Sequence, residues 1–240
     1  MKFVIVCTTQ RSGSTMVCED MTRFGIGKPN EYFLPWVKEE ALDWKAELEA
    51  MKARYAANGV FAVKIMANQV RRVDLRLSKV LDPVDDGPFP YFRAAFPDAD
   101  WVYIQRQDTI NQAISHFLAI RSGVYHVVRG KGEFMPGAAV DQASAKSQIV
   151  DVPYDYKALL EEWHRLQTGN LLWAEFFRTT ENKQLEIIYE TYDENSLRDF
   201  GTRLGISLQN SDGERNLTKM PGGRNLEIRE RFLSDIFSRL

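Results

Sequence analysis

The sequence predicts a single α/β domain, a central parallel sheet flanked by helices, and three observations carry that expectation. Short continuous runs of β-branched and aromatic residues, the kind buried on both faces of a sheet, recur along the chain. Longer stretches rich in Ala, Leu, Glu, Lys and Met, the strong helix formers, lie between them. The two kinds alternate without internal repeat, low-complexity tract or linker, as they do when crossover helices cover a parallel sheet. At 240 residues the chain falls between one and two domains of roughly 150 each, but α/β folds of this size form one. Residues 1–240 are therefore read as one domain.

The elements follow in order. Phe3–Cys7 is an apolar run that reads as a buried strand. A Ser/Gly/Thr turn leads into a helix from about Ser14 to Phe24, closed by Gly25 and Gly27. Val37–Ala57 reads as one helix ended by Asn58-Gly59. Val60–Met66 is a second strand, Pro88–Pro97 holds a short helix, and Trp101–Gln105 is a third strand. Asp108 caps a helix running to about Ile120. Residues 123–152 carry glycines and little periodicity, and are read as a long loop. A long helix over Tyr154–Arg178, a strand over Leu185–Tyr189 and a helix over Asp193–Leu204 come next. An irregular tail and an amphipathic helix over Leu226–Leu240 end the chain.

Composition excludes several functions. Lys+Arg 31 against Asp+Glu 33 leaves a net charge of −2, unlike a dedicated nucleic-acid binder. No apolar run approaches the ~18 residues of a membrane span. Phe3–Cys7 is also shorter than the ~7 to 15 residues of a signal-peptide core. Cys7 and Cys18 are too few for a disulfide framework and suit a reducing compartment, so a cytoplasmic location is expected. His116, His126 and His164 show no metal-ligand spacing, and no metal site is expected.

The chemistry concentrates in Thr8-Thr9-Gln10-Arg11-Ser12-Gly13-Ser14-Thr15, where a buried strand hands over to a helix. N–H groups at a helix start lack intrahelical partners, and the helix dipole favours negative charge there. Gly13 permits a close turn, Ser12, Ser14 and Thr15 add hydroxyls, and Arg11 adds a forked cation suited to phosphate oxygens. Together they form an anion cradle. The plainer reading is a Ser/Thr-rich turn with a surface arginine. A Walker A loop, G-x-x-x-x-G-K-[ST], would need Gly where Thr8 stands and Lys where Ser14 stands, which disfavours a P-loop-like nucleotide kinase.

Gln10-Arg11-Ser12-Gly13-Ser14-Thr15 after an N-terminal strand resembles the 5′-phosphosulfate loop of sulfotransferases that use 3′-phosphoadenylyl sulfate (PAPS), closest to the Stf0-like bacterial group. That group includes trehalose 2-sulfotransferase and relatives acting on sulfolipids and other glycans. The resemblance implies a P-loop-like sulfotransferase fold, with Gln10, Arg11, Ser12, Gly13, Ser14 and Thr15 holding the donor. Gly27-Lys28-Pro29-Asn30-Glu31-Tyr32-Phe33 resembles the segment whose glutamate is the proposed general base, which makes Glu31 a catalytic candidate. Its alternative is a solvated loop acid.

Phe61–Gln69 resembles the family's G-x-K-[LI]-M-x-[NQ]-Q stretch. Lys64, inside an apolar strand, is costly to bury unless it meets an anion. It is a candidate to neutralise charge on the sulfuryl group or its bridging oxygen, with snorkelling from a strand edge as the alternative. Tyr103–Asp108 and the following helix match the place where the family sets an Arg and a Ser on the 3′-phosphate, here Arg106 and Ser115. A looser match puts Arg215, and more weakly Lys219 and Arg224, in the loop that closes over that phosphate. His116 is an alternative base if it faces the cleft, a helix-surface histidine if not. Tyr32, Phe33, Trp36 and Trp44 either shape an acceptor cleft or fill the core.

The implied reaction moves a sulfuryl group from PAPS to an acceptor hydroxyl, on a carbohydrate or glycolipid by resemblance, and releases adenosine 3′,5′-bisphosphate. A non-catalytic nucleotide-binding module on the same fold is a further alternative. The family includes dimers, but the string alone carries no argument for an interface.

Overall fold

A computed structural model describes residues 1–38, 43–130, 139–180, 182–209, 214–218 and 223–239. In chain order its elements are β1 (Lys2–Thr8), α1 (Ser14–Arg23), α2 (Leu34–Lys38), α3 (Trp44–Tyr55), β2 (Val60–Met66), α4 (Ala67–Leu77), α5 (Pro90–Ala95), β3 (Asp100–Gln105), α6 (Thr109–Ser122), β4 (His126–Val127), β5 (Ala139–Val140), α7 (Gln142–Val150), α8 (Tyr156–Thr180), β6 (Gln184–Ile188), α9 (Asn195–Arg203) and α10 (Gly223–Phe237). The protein is α/β, with a central parallel sheet of four strands flanked by helices. Its contacts gather into two compact units, Met1–Gln105 with Gly169–Ser211, and Arg106–Thr168 with Asp212–Leu240.

The first unit holds the sheet, ordered β2-β1-β3-β6, with every neighbouring pair parallel. β1 is central, and Val4 to Thr8 are fully buried, as a strand covered on both faces must be. One face of β2 presents Phe61, Val63 and Ile65 to a core shared with Phe33, Phe92, Phe96, Trp101, Trp173 and Phe176. Alternation sends Val60, Ala62, Lys64 and Met66 to the other face. Chain segment 25–27 lies there, since a Cβ on Gly27 would come 2.7 Å from that of Ala62. The outer edge of β2 is covered too. Asn30 forms a parallel bridge with Val63, and its carbonyl accepts the Lys64 N–H at 3.0 Å.

The second unit is mainly helical. Phe117 and Leu118 of α6, Ala145 and Ile149 of α7, Leu159 and Leu166 of α8, and Ile228 and Phe232 of α10 form its core. Asp108 caps α6 as the sequence predicts, accepting the Asn111 N–H at 3.0 Å.

Three expectations are corrected. Val37–Ala57 is not one helix: the carboxylate of Asp43 accepts the Ala46 N–H at 2.9 Å and starts α3 anew. Residues 39–42 lie outside the described residues. The 123–152 segment is not a bare loop, for it carries β4, β5 and α7, with 131–138 undescribed. Val124, Val127, Ala145, Ile149 and Val152 supply apolar anchors, and Asp141 caps α7 through the Ser144 N–H. Finally, α2 and α4 have no counterpart in the sequence reading. α4 starts directly where β2 stops, with no connecting turn to mark it.

Candidate active site

The loop from Thr8 to Thr15 leaves the carboxyl end of β1 where the crossovers diverge, with β2 on one side and β3 on the other. Open parallel sheets bind ligands in the crevice at such a switch point. Two residues give the loop its shape: Arg11 at φ 59 and Gly13 at φ 86 are both left-handed. For a non-glycine such as Arg11 that conformation costs about 1–2 kcal/mol. The carbonyl of Gly13 accepts the N–H groups of Met16 and Val17 at 3.0 and 3.3 Å, while no side chain caps α1. The positive end of the helix dipole therefore faces the loop.

A side chain at residue 13 would overlap the ring of Tyr189. Gly13→Ala adds that overlap to the left-handed penalty. It is expected to lower stability by about 2 kcal/mol or more, read as a lower urea midpoint. An unchanged midpoint would show that the loop has another conformation.

The loop is braced from two sides. The indole of Trp173 donates to the Thr8 carbonyl at 2.9 Å, and the Thr9 hydroxyl donates to Asn170 Oδ1 at 2.8 Å. Gly169, inside α8, permits this approach, since a Cβ there would lie 2.8 Å from Thr9 Cγ2. A helix-interior glycine costs about 1 kcal/mol relative to alanine, and close packing is what it supplies in return. Gln10 Nε2 donates to Asn68 Oδ1 of α4 at 2.8 Å. The hydroxyl of Ser12 is turned inward, fully buried and hydrogen-bonded to Thr8 Oγ1. Ser14 is buried, whereas Arg11, Gly13 and Thr15 are half-buried.

Glu31 and Lys64 come together beside this loop. Lys64 is only 4% exposed; its ammonium lies 3.2 Å from Glu31 Oε1 and donates to Thr15 Oγ1 at 3.4 Å. It does not snorkel to solvent. The anion that offsets its burial is Glu31. The bridge between Asn30 and β2 sets Glu31 at this edge, and Asn30 Oδ1 also accepts the Glu31 N–H at 2.8 Å. The second carboxylate oxygen, Oε2, accepts from Gln69 Nε2 at 2.8 Å. The geometry thus joins a carboxylate, an ammonium, a loop hydroxyl and a helix start, a set able to take a proton and hold an anion.

Sequence reasoning names Gln69 only as the last residue of the Phe61–Gln69 stretch, without a role, and misses Gly169, Asn170 and Trp173 as parts of this arrangement. A glycine within an otherwise helical stretch was the one legible signal, at Gly169. Phe33, Trp36 and Trp44 pack edge-on or tilted against one another in the core, so they fill it and line no cleft. Tyr32 is half-buried and stacks on Tyr55 at 3.9 Å. Cys7 and Cys18 are buried free thiols. Burial pushes the Cys18 thiol up to about 12, against the pull of Lys64, and raises that of Cys7 well above its ordinary value. Neither is a thiolate nucleophile near neutral pH.

Arg106, Ser115, His116 and Arg215 belong to the second unit. Arg106 follows the last residue of β3, and Ser115 lies two turns into α6; both are half-buried. Asp108 stands between them. Burial works to raise its carboxyl, but the Asn111 N–H and the Arg229 guanidinium at 3.0 Å outweigh that and hold it below the usual carboxylate range. His116 is not on the surface. It is 6% exposed, with Nδ1 2.7 Å from Glu162 Oε2. Burial works against ionising Glu162, yet Arg165 and His116 together keep its carboxyl below the ordinary value. Residues 214–218 dock on β4: Val128 bridges Leu217, and the Arg129 and Thr218 N–H groups donate to Asn216 and Val127 carbonyls at 2.9 Å. Arg215 is half-buried in this segment. Arg224 holds the Val152 carbonyl, and Lys219 lies outside the described residues.

Among the described residues, no group of three or more His, Cys, Asp or Glu is placed to hold a metal ion. No helix among them is long and apolar enough to cross a membrane. No curated protein matches the chain. The family model of the Stf0 sulphotransferase matches residues 3–57 and 46–235, a span that takes in the anion loop, Glu31 and Lys64 as well as most of both units. The chain belongs to the Stf0 sulphotransferase family, a membership that implies sulfotransferase activity.

Proposed function

We propose that the protein transfers a sulfuryl group from PAPS to an acceptor hydroxyl, on a carbohydrate or glycolipid, in a cytoplasmic setting that suits its two free thiols. One observation carries this reading: a carboxylate and an ammonium, Glu31 and Lys64, stand 3.2 Å apart beside an uncapped helix start at the sheet's switch point. The residues fit an anionic donor, for Arg11, Lys64 and the first N–H groups of α1 complement a phosphosulfate.

In the proposed step the acceptor oxygen forms a bond to sulfur as the bond from sulfur to the bridging phosphate oxygen breaks. Glu31 takes the acceptor's proton. Lys64, Arg11 and the backbone of Gln10 to Thr15 meet the negative charge that grows on the departing oxygen. Adenosine 3′,5′-bisphosphate leaves. Arg106 and Ser115, with Arg215, are the residues proposed to hold its 3′-phosphate.

Thermal-shift titration tests the donor first. Stabilisation by adenosine 3′,5′-bisphosphate and not by Mg-ATP is expected, and the reverse order would favour a nucleotide kinase. Arg106→Ala is expected to weaken bisphosphate binding by about 1.5–3 kcal/mol, the worth of a charged hydrogen bond. Unchanged affinity would remove Arg106 from the 3′-phosphate site. Turnover of labelled PAPS against a panel of sugars, glycolipids and phenols then identifies the acceptor. Binding without turnover across the panel would leave a nucleotide-binding module.

A further inference from the structure

We propose that Gln69 is the positioning residue for the Glu31 carboxylate, holding it in place when Lys64 turns to the donor; the inference rests on the reading of Glu31 as the base. Gln69 lies in the first turn of α4 and is 4% exposed. Its amide is oriented without ambiguity. Oε1 accepts the backbone N–H of Met66 at 3.2 Å, an acceptor's task, so the NH₂ end is the one that faces Glu31 and donates to Oε2 at 2.8 Å.

The two oxygens of Glu31 are therefore held differently. Oε1 is held by Lys64, a long flexible side chain that also contacts Thr15 of the anion loop. Oε2 is held by Gln69, which is itself tied to the end of β2. An anion arriving in the loop competes with Glu31 for the Lys64 ammonium, and it has no such claim on a neutral amide. Once Lys64 shifts its bond to the donor, Gln69 is the remaining side chain of this network that fixes the carboxylate. Oε1 is then the oxygen left to accept the proton of the incoming hydroxyl. A base must sit within hydrogen-bond reach of that proton, and misplacement by about 1 Å can cost up to a hundredfold in rate.

The same first turn of α4 carries Asn68, which accepts from Gln10 of the loop. Adjacent residues of one helix start thus tether the donor loop and the base. This fixes their separation through a rigid element, without relying on the Lys64 contact.

Two substitutions test the proposal. Gln69→Met keeps the length of the side chain but cannot donate. Gln69→Glu keeps the acceptor for Met66 and the shape, and replaces the donor by a carboxylate oxygen that repels Glu31. With labelled PAPS and the best acceptor of a sugar, glycolipid and phenol panel, both are expected to lower kcat by about tenfold to a hundredfold. KM for PAPS should stay within about twofold, because Gln69 touches no group assigned to the donor. In a Glu31→Gln background, Gln69→Met should cost almost nothing further, since residues acting through one group are not additive. Thermal melts identify a variant that has lost its fold, and Gln69→Glu, which retains the α4 contact, is then the one read. If both folded variants keep wild-type kcat while Glu31→Gln loses turnover, the role of Gln69 is refuted and that of Glu31 stands. If Glu31→Gln itself turns over normally, the base assignment falls and takes this inference with it.

Discussion

Glu31→Gln is expected to lower turnover by about a hundredfold to ten-thousandfold, the range that positioned proton transfer contributes. The substitution is nearly isosteric, and the single amide oxygen of glutamine can still accept from Lys64 or from Gln69, although its NH₂ then faces the other donor. What it loses is the capacity to accept a proton. The measurement is kcat with labelled PAPS and acceptor both saturating, which removes binding from the comparison. The substitution also leaves the nearly buried Lys64 cation without its counter-charge, so the assay belongs well below the variant's melting temperature. Full turnover would move the base elsewhere. His116 would then come first, although Glu162 and Arg165 already contact its Nδ1.

Lys64→Met is expected to cost about a hundredfold to a thousandfold in kcat, as removal of a preorganised donor to a developing oxyanion does. Its effect on stability should be much smaller. Methionine fills a similar volume and removes the desolvation cost of the ammonium, and the carboxylate left behind is not sealed in the core. Glu31 keeps its bond to Gln69 and enough exposure, 27% of its side chain, to be solvated. A large loss of turnover with a nearly unchanged melting temperature would separate a chemical role from a structural one. The opposite result, a destabilised protein with normal turnover, would make Lys64 a counter-ion for Glu31 and nothing more.

The parts legible in the sequence are those governed by residues close together in the chain. The β1 run, the turn into α1, the left-handed Gly25 and Gly27, the Asp108 cap and the four sheet strands all announce themselves through local composition and stereochemistry. Where local signals fail, the reason is visible. α4 begins without a turn, so nothing separates it from β2. The 123–152 segment lacks a strong period because α7 is short and its anchors, Ala145 and Ile149, are few. Lys64 was legible as an anomaly, a charge in an apolar run, but its partner was not. Glu31 and Gln69 are 38 positions apart and Lys64 and Thr15 are 49, and no periodicity spans such intervals.

The sequence by itself determined the class of fold, the strand-to-helix loop at the first strand's end and a set of residue types suited to sulfuryl chemistry. Backbone sterics and hydrophobic burial act within a few residues and leave their record in the string. Tertiary structure alone decided which charges meet. Placing β2 beside β1, and Asn30 along the outer edge of β2, brings Lys64 to Glu31 and sets Gln69 behind it. It also turned Ser12 and the aromatic residues inward, because a side chain's face depends on the register and neighbours of its strand or helix.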